Sequence, residues 1–258
     1  MEVATRNWQI GLKRLFLRKI NSMLELNDQN RLYTYIVAHD GGNAPNPYHG
    51  TCTLAICKPK IRLTAKIGDI IVGLDHGQNS NRIVYCMKVS HIYSWSNYIK
   101  ECNTKEGNLN KKIPKNELDQ GDCIWRSSGP DYEDSLDSWS GHKGVDCFNT
   151  DVVSGKNVLA SNEYWYFGKG DKYKVLLNKN LQKIIPGRGH KSYFNDPYRD
   201  DFINFFNTKL KNLGIISTGV SKRVFGNPSL GPENSDKEKC TKCRKIELDS
   251  EHFDEETC

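Results

Sequence analysis

Between Arg31 and Leu177 the apolar positions come in short runs separated by turn formers. The segments 32–38 (LYTYIVA), 51–57 (TCTLAIC), 69–74 (DIIVGL), 82–89 (RIVYCMKV), 121–126 (GDCIWR), 157–167 (NVLASNEYWYF) and 173–177 (YKVLL) are rich in β-branched and aromatic residues, which predicts strands. Gly68-Asp69 and Gly121-Asp122 each open an apolar run, as turn residues do. The two ends read differently. Over residues 5–25, Trp8, Leu12, Leu15, Phe16, Ile20, Met23 and Leu24 approximate a stripe of helical period, with Arg6, Lys13, Arg14, Arg18 and Lys19 largely off it. Near the other end, Asn195-Asp196-Pro197 supplies a cap and a first-turn proline. Phe202, Ile203, Phe205, Phe206 and Leu210 then form a broad apolar face, and Gly214 ends the helix.

These elements predict an α+β fold, with a mixed or antiparallel sheet curling toward a barrel (a PUA-like barrel is one form of this) and helices at both ends. Two long loops interrupt it: 103–120, rich in Lys and Asn, and 127–146, rich in Ser, Gly and Asp. Loops of that length inside a domain are commonly functional. The expected organisation is an N-terminal amphipathic helix in 1–30, a central domain over 31–230, and an acidic cysteine-containing tail over 231–258, with GNPSLGPENSD (226–236) as the linker.

Composition supports a folded domain: 37% of residues are hydrophobic and 26% charged. No run reaches the roughly 18 apolar residues of a membrane span, and the N-terminus lacks the pattern of a secretory signal, so a cytoplasmic protein is expected. The nine cysteines are an odd number, and those at 52, 57, 86, 123 and 147 sit in or beside apolar runs, so they read as buried small hydrophobes. The net charge is +6. Residues 233–258 hold nine acidic and five basic residues, a net of −4, which leaves +10 on the rest of the chain. A basic body suits a phosphate-bearing partner such as a nucleotide or nucleic acid, although solvated surface lysines give the same count.

The densest polar chemistry lies between His39 and Arg62 (HDGGNAPNPYHGTCTLAICKPKIR). Gly41, Gly42, Pro45 and Pro47 force a tight loop into which Asp40, Asn43, Asn46 and His49 are set. Amide side chains in such a loop can read a base edge, or they can cap their own turns. Lys58, Lys60 and Arg62 follow at i, i+2 and i+4; on an extended chain they share one face and form a phosphate rail. Pro59 argues for an edge or a break there, and an exposed, charged edge equally serves to block aggregation. Cys52 or Cys57 with His49 forms a thiol–imidazole pair only on paper, because an apolar strand quenches a thiol. His142, Asp146, Arg188 and His190 lie in glycine-rich, basic loops and can join a site. Trp125, Tyr164, Trp165, Tyr166 and Tyr48 are the rings available for stacking. HExxH, Walker and GxSxG signatures are lacking, which favours binding over turnover.

The stretches YTYIVAHDGGNAPNPYHGTCTLAICKPKIR, AKIGDIIVGL, RIVYCMKV, GDCIW and EYWYFGKG occur in this order ahead of the terminal helix. Over about residues 31–230 the chain thereby resembles the second type of nucleotide modification associated domain, found with phage and bacterial DNA-modification and defence systems. The resemblance implies a role in making, altering or recognising modified nucleotides. It also implies site positions at Asp40, Asn43, Asn46, Lys58, Lys60, Arg62, Asp69 and Asp122. The chain departs from the pattern at Gly42, where an aromatic is expected, and at Tyr48, where a phenylalanine is expected.

In the tail, Cys240 and Cys243 have CxxC spacing, and His252 and Cys258 can complete a four-ligand zinc site. Three functional classes stay open. The leading one is a nucleotide- or nucleic-acid-binding domain using 40–62. The second is an enzyme acting on a modified nucleotide through the same loop. The third is an interaction subunit docking a protein partner through 5–25.

Overall fold

Alternate residues of the central strands point into different cores, and this sets the layers. The structure, a computed structural model, describes residues 24–25, 29–105, 107–126, 132–170, 172–215 and 224–226. In chain order the strands are β1 (Leu32–Ile36), β2 (Cys52–Leu54), β3 (Ile70–Leu74), β4 (Ile83–Lys88), β5 (His91–Ser94), β6 (Asn157–Ser161), β7 (Glu163–Tyr166) and β8 (His190–Tyr193). The helices are α1 (Pro59–Thr64), α2 (Trp95–Cys102), α3 (Gly144–Phe148), which runs into a π-helical turn over Asn149–Ser154, and α4 (Pro197–Asn212).

One sheet has the order β7-β4-β3-β1-β8, with β1 and β3 parallel and the other pairs antiparallel; a second, antiparallel sheet has the order β2-β6-β5. Among the described residues the fold is therefore a mixed α/β arrangement without a closed barrel. The two sheets meet at a corner, where β4 leads through Val89 and Ser90 into β5, and its partner β6 leads through Asn162 into β7. Ser161 Oγ ties this corner by donating to the carbonyl oxygens of Lys88 (2.6 Å) and Glu163 (2.8 Å).

Ile70, Val72, Leu74, Ile83, Cys86 and Trp165 pack on one side of the larger sheet against Phe202, Phe206 and Leu210 of α4. Tyr33, Tyr35, Ile71, Val84, Tyr85, Met87, Tyr164 and Tyr166 fill the other side, against β2 and Ile61 and Ala65 around α1. A third core gathers Ile56, Cys57, Trp95, Tyr98, Cys123, Ile124, Trp125, Phe148 and Val158. A Cβ at Gly73 would run into the Tyr85 ring and Val37, so the packing there requires glycine.

Because β1 and β3 are parallel, the chain must cross over between them, and parallel strands need a dozen or more residues to do so. That crossover is residues 37–69, the stretch that holds the polar loop, β2 and α1.

The C-terminal helix forms as expected: Asp196 accepts from Tyr198 N at 2.8 Å, Pro197 opens it, and Gly214 follows it at φ +69. Two expectations are corrected. Residues 58–62 are not an extended strand, because Pro59 starts α1, where its missing N–H and fixed φ suit the first turn. Residues 121–125, Val175 and Leu177 are buried, yet segments 121–126 and 173–177 form no ladder strands, apart from a single bridge between Arg82 and Leu176. The expected helix over 5–25 falls outside the described residues except at Leu24 and Glu25. Leu24 is tied to α4 by a reciprocal pair of bonds with the Asn207 amide, at 2.8 and 3.0 Å. The zinc candidates Cys240, Cys243, His252 and Cys258 also lie outside the described residues. Among the described residues, no helix is long and apolar enough to cross a membrane.

Candidate functional site

The loop leaving β1 is held by its own polar side chains, which point inward. Asp40 is buried and accepts from Tyr166 Oη at 2.6 Å. Asn43 is buried; in the amide orientation that satisfies both ends, its nitrogen donates to Gln120 O at 2.9 Å and its oxygen accepts from Ser140 N at 3.1 Å. Asn46 Nδ2 donates to Gln120 O at 2.6 Å, and its oxygen accepts from Lys112 Nζ at 2.7 Å. Lys112 is fully buried and also donates to the carbonyls of Asn46 (3.1 Å) and Thr51 (2.8 Å). Burial pulls its ammonium below the ordinary lysine range, and the charge of Asp122 opposes that. Asp122 itself accepts from Thr53 Oγ1 at 2.5 Å and Tyr98 Oη at 2.6 Å, while burial raises its carboxyl. The amides expected to read a base thus fasten three loops together.

The cations are divided in the same way. Lys60 is exposed on α1, and Lys58 is half-buried with its ammonium 5.0 Å above the Tyr35 ring. Arg62 is completely buried, contrary to the expected phosphate rail. Its guanidinium donates to the carbonyls of Cys57 (2.6 Å), Asp151 (2.8 Å) and Asn157 (2.8 Å), and it packs directly on Gly155, where no Cβ would fit. In a helix i and i+4 stay close, but here Arg62 faces the core while Lys60 faces solvent. Asp69 is also a structural residue. It accepts from Arg31 N (2.7 Å) and Lys66 N (2.8 Å) at the N-terminal ends of β1 and β3, opposite the end from which the 39–50 loop departs. His49 is exposed, with its ring 6.2 Å from that of Tyr48; partial desolvation on its protein-facing side and the charges of Lys112 and Lys111 lower its pKa.

The histidine that meets a cysteine is therefore His142. Its Nε2 lies 3.4 Å from Cys57 Sγ, and its Nδ1 lies 2.8 Å from Asp151 Oδ2. Asp151 sits in the π-helical turn and is fully buried; it also accepts from Cys57 N (2.7 Å) and Trp125 Nε1 (3.1 Å), with Arg62 at 3.7 Å. Cys57 (φ 59) and Lys58 (φ 46) are consecutive non-glycine residues in the left-handed region, between β2 and α1. Such conformations cost about 1–3 kcal/mol each and persist where surrounding contacts enforce them. The Asp151 bond to Cys57 N and the Arg62 bond to Cys57 O do so here.

Cys52, the other thiol considered with His49, is fully buried in β2, where desolvation pushes it up to about 12. Of the remaining loop candidates, Asp146 is half-buried in α3 and Arg188 is exposed. His190 lies on the edge strand β8, with its ring 6.0 Å from Tyr33. Tyr164 and Tyr166 are core rings that donate to Pro47 O and Asp40. Asp151 left no signal in the sequence, because its partners are 94, 89, 26 and 9 positions away. A groove of about 330 Å³ lined by Leu24, Glu25, Asp200, Ile203 and Asn204 lies on the α4 side of the larger sheet, away from this centre.

No curated protein and no solved structure matches the chain. A family model for nucleotide modification associated domain 2 matches residues 29–219, which take in the crossover, the Cys57 turn and the His142–Asp151 segment. That span is well over half of the chain, which belongs to the nucleotide modification associated domain 2 family.

Proposed function

We propose that the chain binds a nucleotide, free or within nucleic acid, in a base-modification pathway, over the face made by the 39–50 loop and the start of α1. The family supports the nucleotide part of this reading. The location is supported by one observation. The loop's amides are spent inward on Gln120, Ser140 and Lys112, so the loop is a preorganised platform. His49 and Lys60 are exposed and Tyr48 and Lys58 half-buried, in this loop and at the start of α1, and they are the residue types that meet phosphates and bases. Asn43, Asn46, Arg62 and Asp122 act in this reading as the frame, while the cations and rings meet the ligand.

The test is a titration of the full chain with nucleoside monophosphates and with plain and modified oligonucleotides, comparing the wild type with a Lys58→Ala/Lys60→Ala variant. Weaker binding by the variant is expected. For an oligonucleotide, the log–log salt dependence should fall by about one unit for each phosphate-contacting lysine removed. Equal affinity and equal salt dependence in both proteins would remove this face from consideration.

A further inference from the structure

We propose that Cys57, His142 and Asp151 form a nucleophile–base–positioning triad, with Cys57 as a catalytic thiol that hydrolyses an amide or ester carried on a modified nucleotide. The nucleotide part rests on the binding reading above, whereas the thiol chemistry rests on geometry alone.

An ionised carboxylate only accepts hydrogen bonds. Asp151 Oδ2, 2.8 Å from His142 Nδ1, therefore fixes the proton on Nδ1 and leaves the Nε2 lone pair facing Cys57 Sγ at 3.4 Å. This is the arrangement by which a base withdraws a proton from a nucleophile while a third group orients it. Trp125 Nε1 and Arg62 hold the carboxylate in place and offset its buried charge. Cys57 sits on a left-handed turn between a strand and a helix, the kind of bend that pushes a nucleophile's side chain out of its strand. It retains 6% exposure, whereas Cys52 and Cys86 retain none. The π-helical turn that carries Asp151 is a rare element often kept at functional sites.

In the first half-reaction, His142 Nε2 takes the Sγ proton as Sγ attacks the acyl carbon. The tetrahedral adduct collapses and expels the amine or alkoxide, which receives that proton from His142, leaving a thioester on Cys57. Water, deprotonated by His142, then attacks the thioester. The Cys57 sulfur leaves and regains the proton. The sum is amide or ester plus water giving carboxylic acid plus amine or alcohol. Cys57 N–H is committed to Asp151 Oδ1 at 2.7 Å, so other donors must receive the oxyanion.

His142 faces the thiol, while Asp151 and Arg62 hold the Cys57 backbone N–H and C=O beside it, and Arg62 interacts with the thiol's charge. Tyr35 of β1 also senses its charge along with that of Asp40, and Lys58 lies over the Tyr35 ring. Full-length protein is treated with iodoacetamide, and separately with p-nitrophenyl acetate, from acid to alkaline pH, and the modified cysteine is located by peptide mass spectrometry. Cys57 should react ahead of Cys52 and Cys86 at neutral pH, with an inflection in the imidazole range and a burst of nitrophenolate. Cys57→Ser should abolish the thioester adduct. His142→Asn should slow acylation about a hundredfold or more at neutral pH and move the alkylation profile toward that of an ordinary thiol. A Cys57 no faster than the other buried thiols, or an unchanged profile in His142→Asn, overturns the proposal. Should His142→Asn prove unfolded by thermal melting, a wild-type profile lacking the imidazole inflection overturns it equally. Slower labelling in the presence of a nucleoside monophosphate or oligonucleotide ties the thiol to the nucleotide site. Fast, unprotected labelling upholds the triad and removes the nucleotide as its substrate.

Discussion

Arg62 connects three segments through their backbone oxygens: the Cys57 turn, the π-helical turn and the start of β6. A lysine can neither spread its donors over that fan nor stack a flat group on Gly155. Arg62→Lys should therefore lower stability by about 3 kcal/mol, since it leaves buried carbonyls without donors and Asp151 short of a countercharge. Urea unfolding measures this; a shift of less than about 1 kcal/mol would be inconsistent with the role assigned to the guanidinium. Asp122 gives a prediction with pH. Burial raises its carboxyl above the ordinary value of 3.8, so between that value and its folded pKa the folded state keeps a proton that the unfolded chain has released. Its contribution is then fully present below the unfolded value and lost as pH rises through the folded one. Asp122→Asn should flatten this decline in a series of unfolding curves taken upward from mild acid, and a slope unchanged by the substitution would contradict it. Both residues were visible in the sequence, Arg62 at the end of a basic run and Asp122 in a turn opening an apolar run. Their inward orientation was not, because spacing of i, i+2 and i+4 places three cations on one face only if the chain is extended, and Pro59 turns it into a helix.

At the scale of elements, local pattern succeeded where local physics decides. Strands β1, β3 and β4 are apolar on both faces because both faces are covered, and they were readable from their β-branched and aromatic runs. Helix α4 carried its cap, its proline and its stop in the chain. Phe206 stacks on Phe202 at 5.5 Å and meets Trp165 edge-on at 5.4 Å, so Phe206→Ala should cost about 3–5 kcal/mol, read as a lowered denaturation midpoint. A loss below about 1 kcal/mol would mean that α4 is not essential to this core. Pattern failed where an element exists because of its neighbour. Strands β5 (HIYS) and β8 (HKSY) have few apolar residues and form by pairing with β6 and β1. Conversely, Cys123, Ile124 and Trp125 are buried yet make no ladder, since an apolar run reports burial and not its hydrogen-bond partners. Helix α2 did leave a trace. Trp95, Tyr98 and Cys102 fall at helical spacing behind the Ser94 cap, in a stretch between the strand at 82–89 and the loop at 103–120 that was given no element.

Across the whole molecule, the crossover between two parallel strands delivers the polar loop and the Cys57 turn to one side of the larger sheet, while α4 covers the other. The bend at Val89–Ser90 and Asn162 carries paired strands from one sheet into the next, so the curl inferred from short strands ends as an open corner. The sequence by itself determined the α+β class, the strands with apolar faces, the terminal helix and the family, since each is written in residue order and local periodicity. It also singled out residues 40–62 as chemically dense, and offered His142, Asp146, Arg188 and His190 as loop residues able to join a site. Only the tertiary structure decided that His142 and not His49 meets a cysteine, that the cysteine is Cys57 and not Cys52, and that Asp151 completes the set. The reason is physical: a hydrogen bond requires proximity, and residues 57, 142 and 151 become neighbours only when the crossover, the long loop and the π-helical turn pack around Arg62.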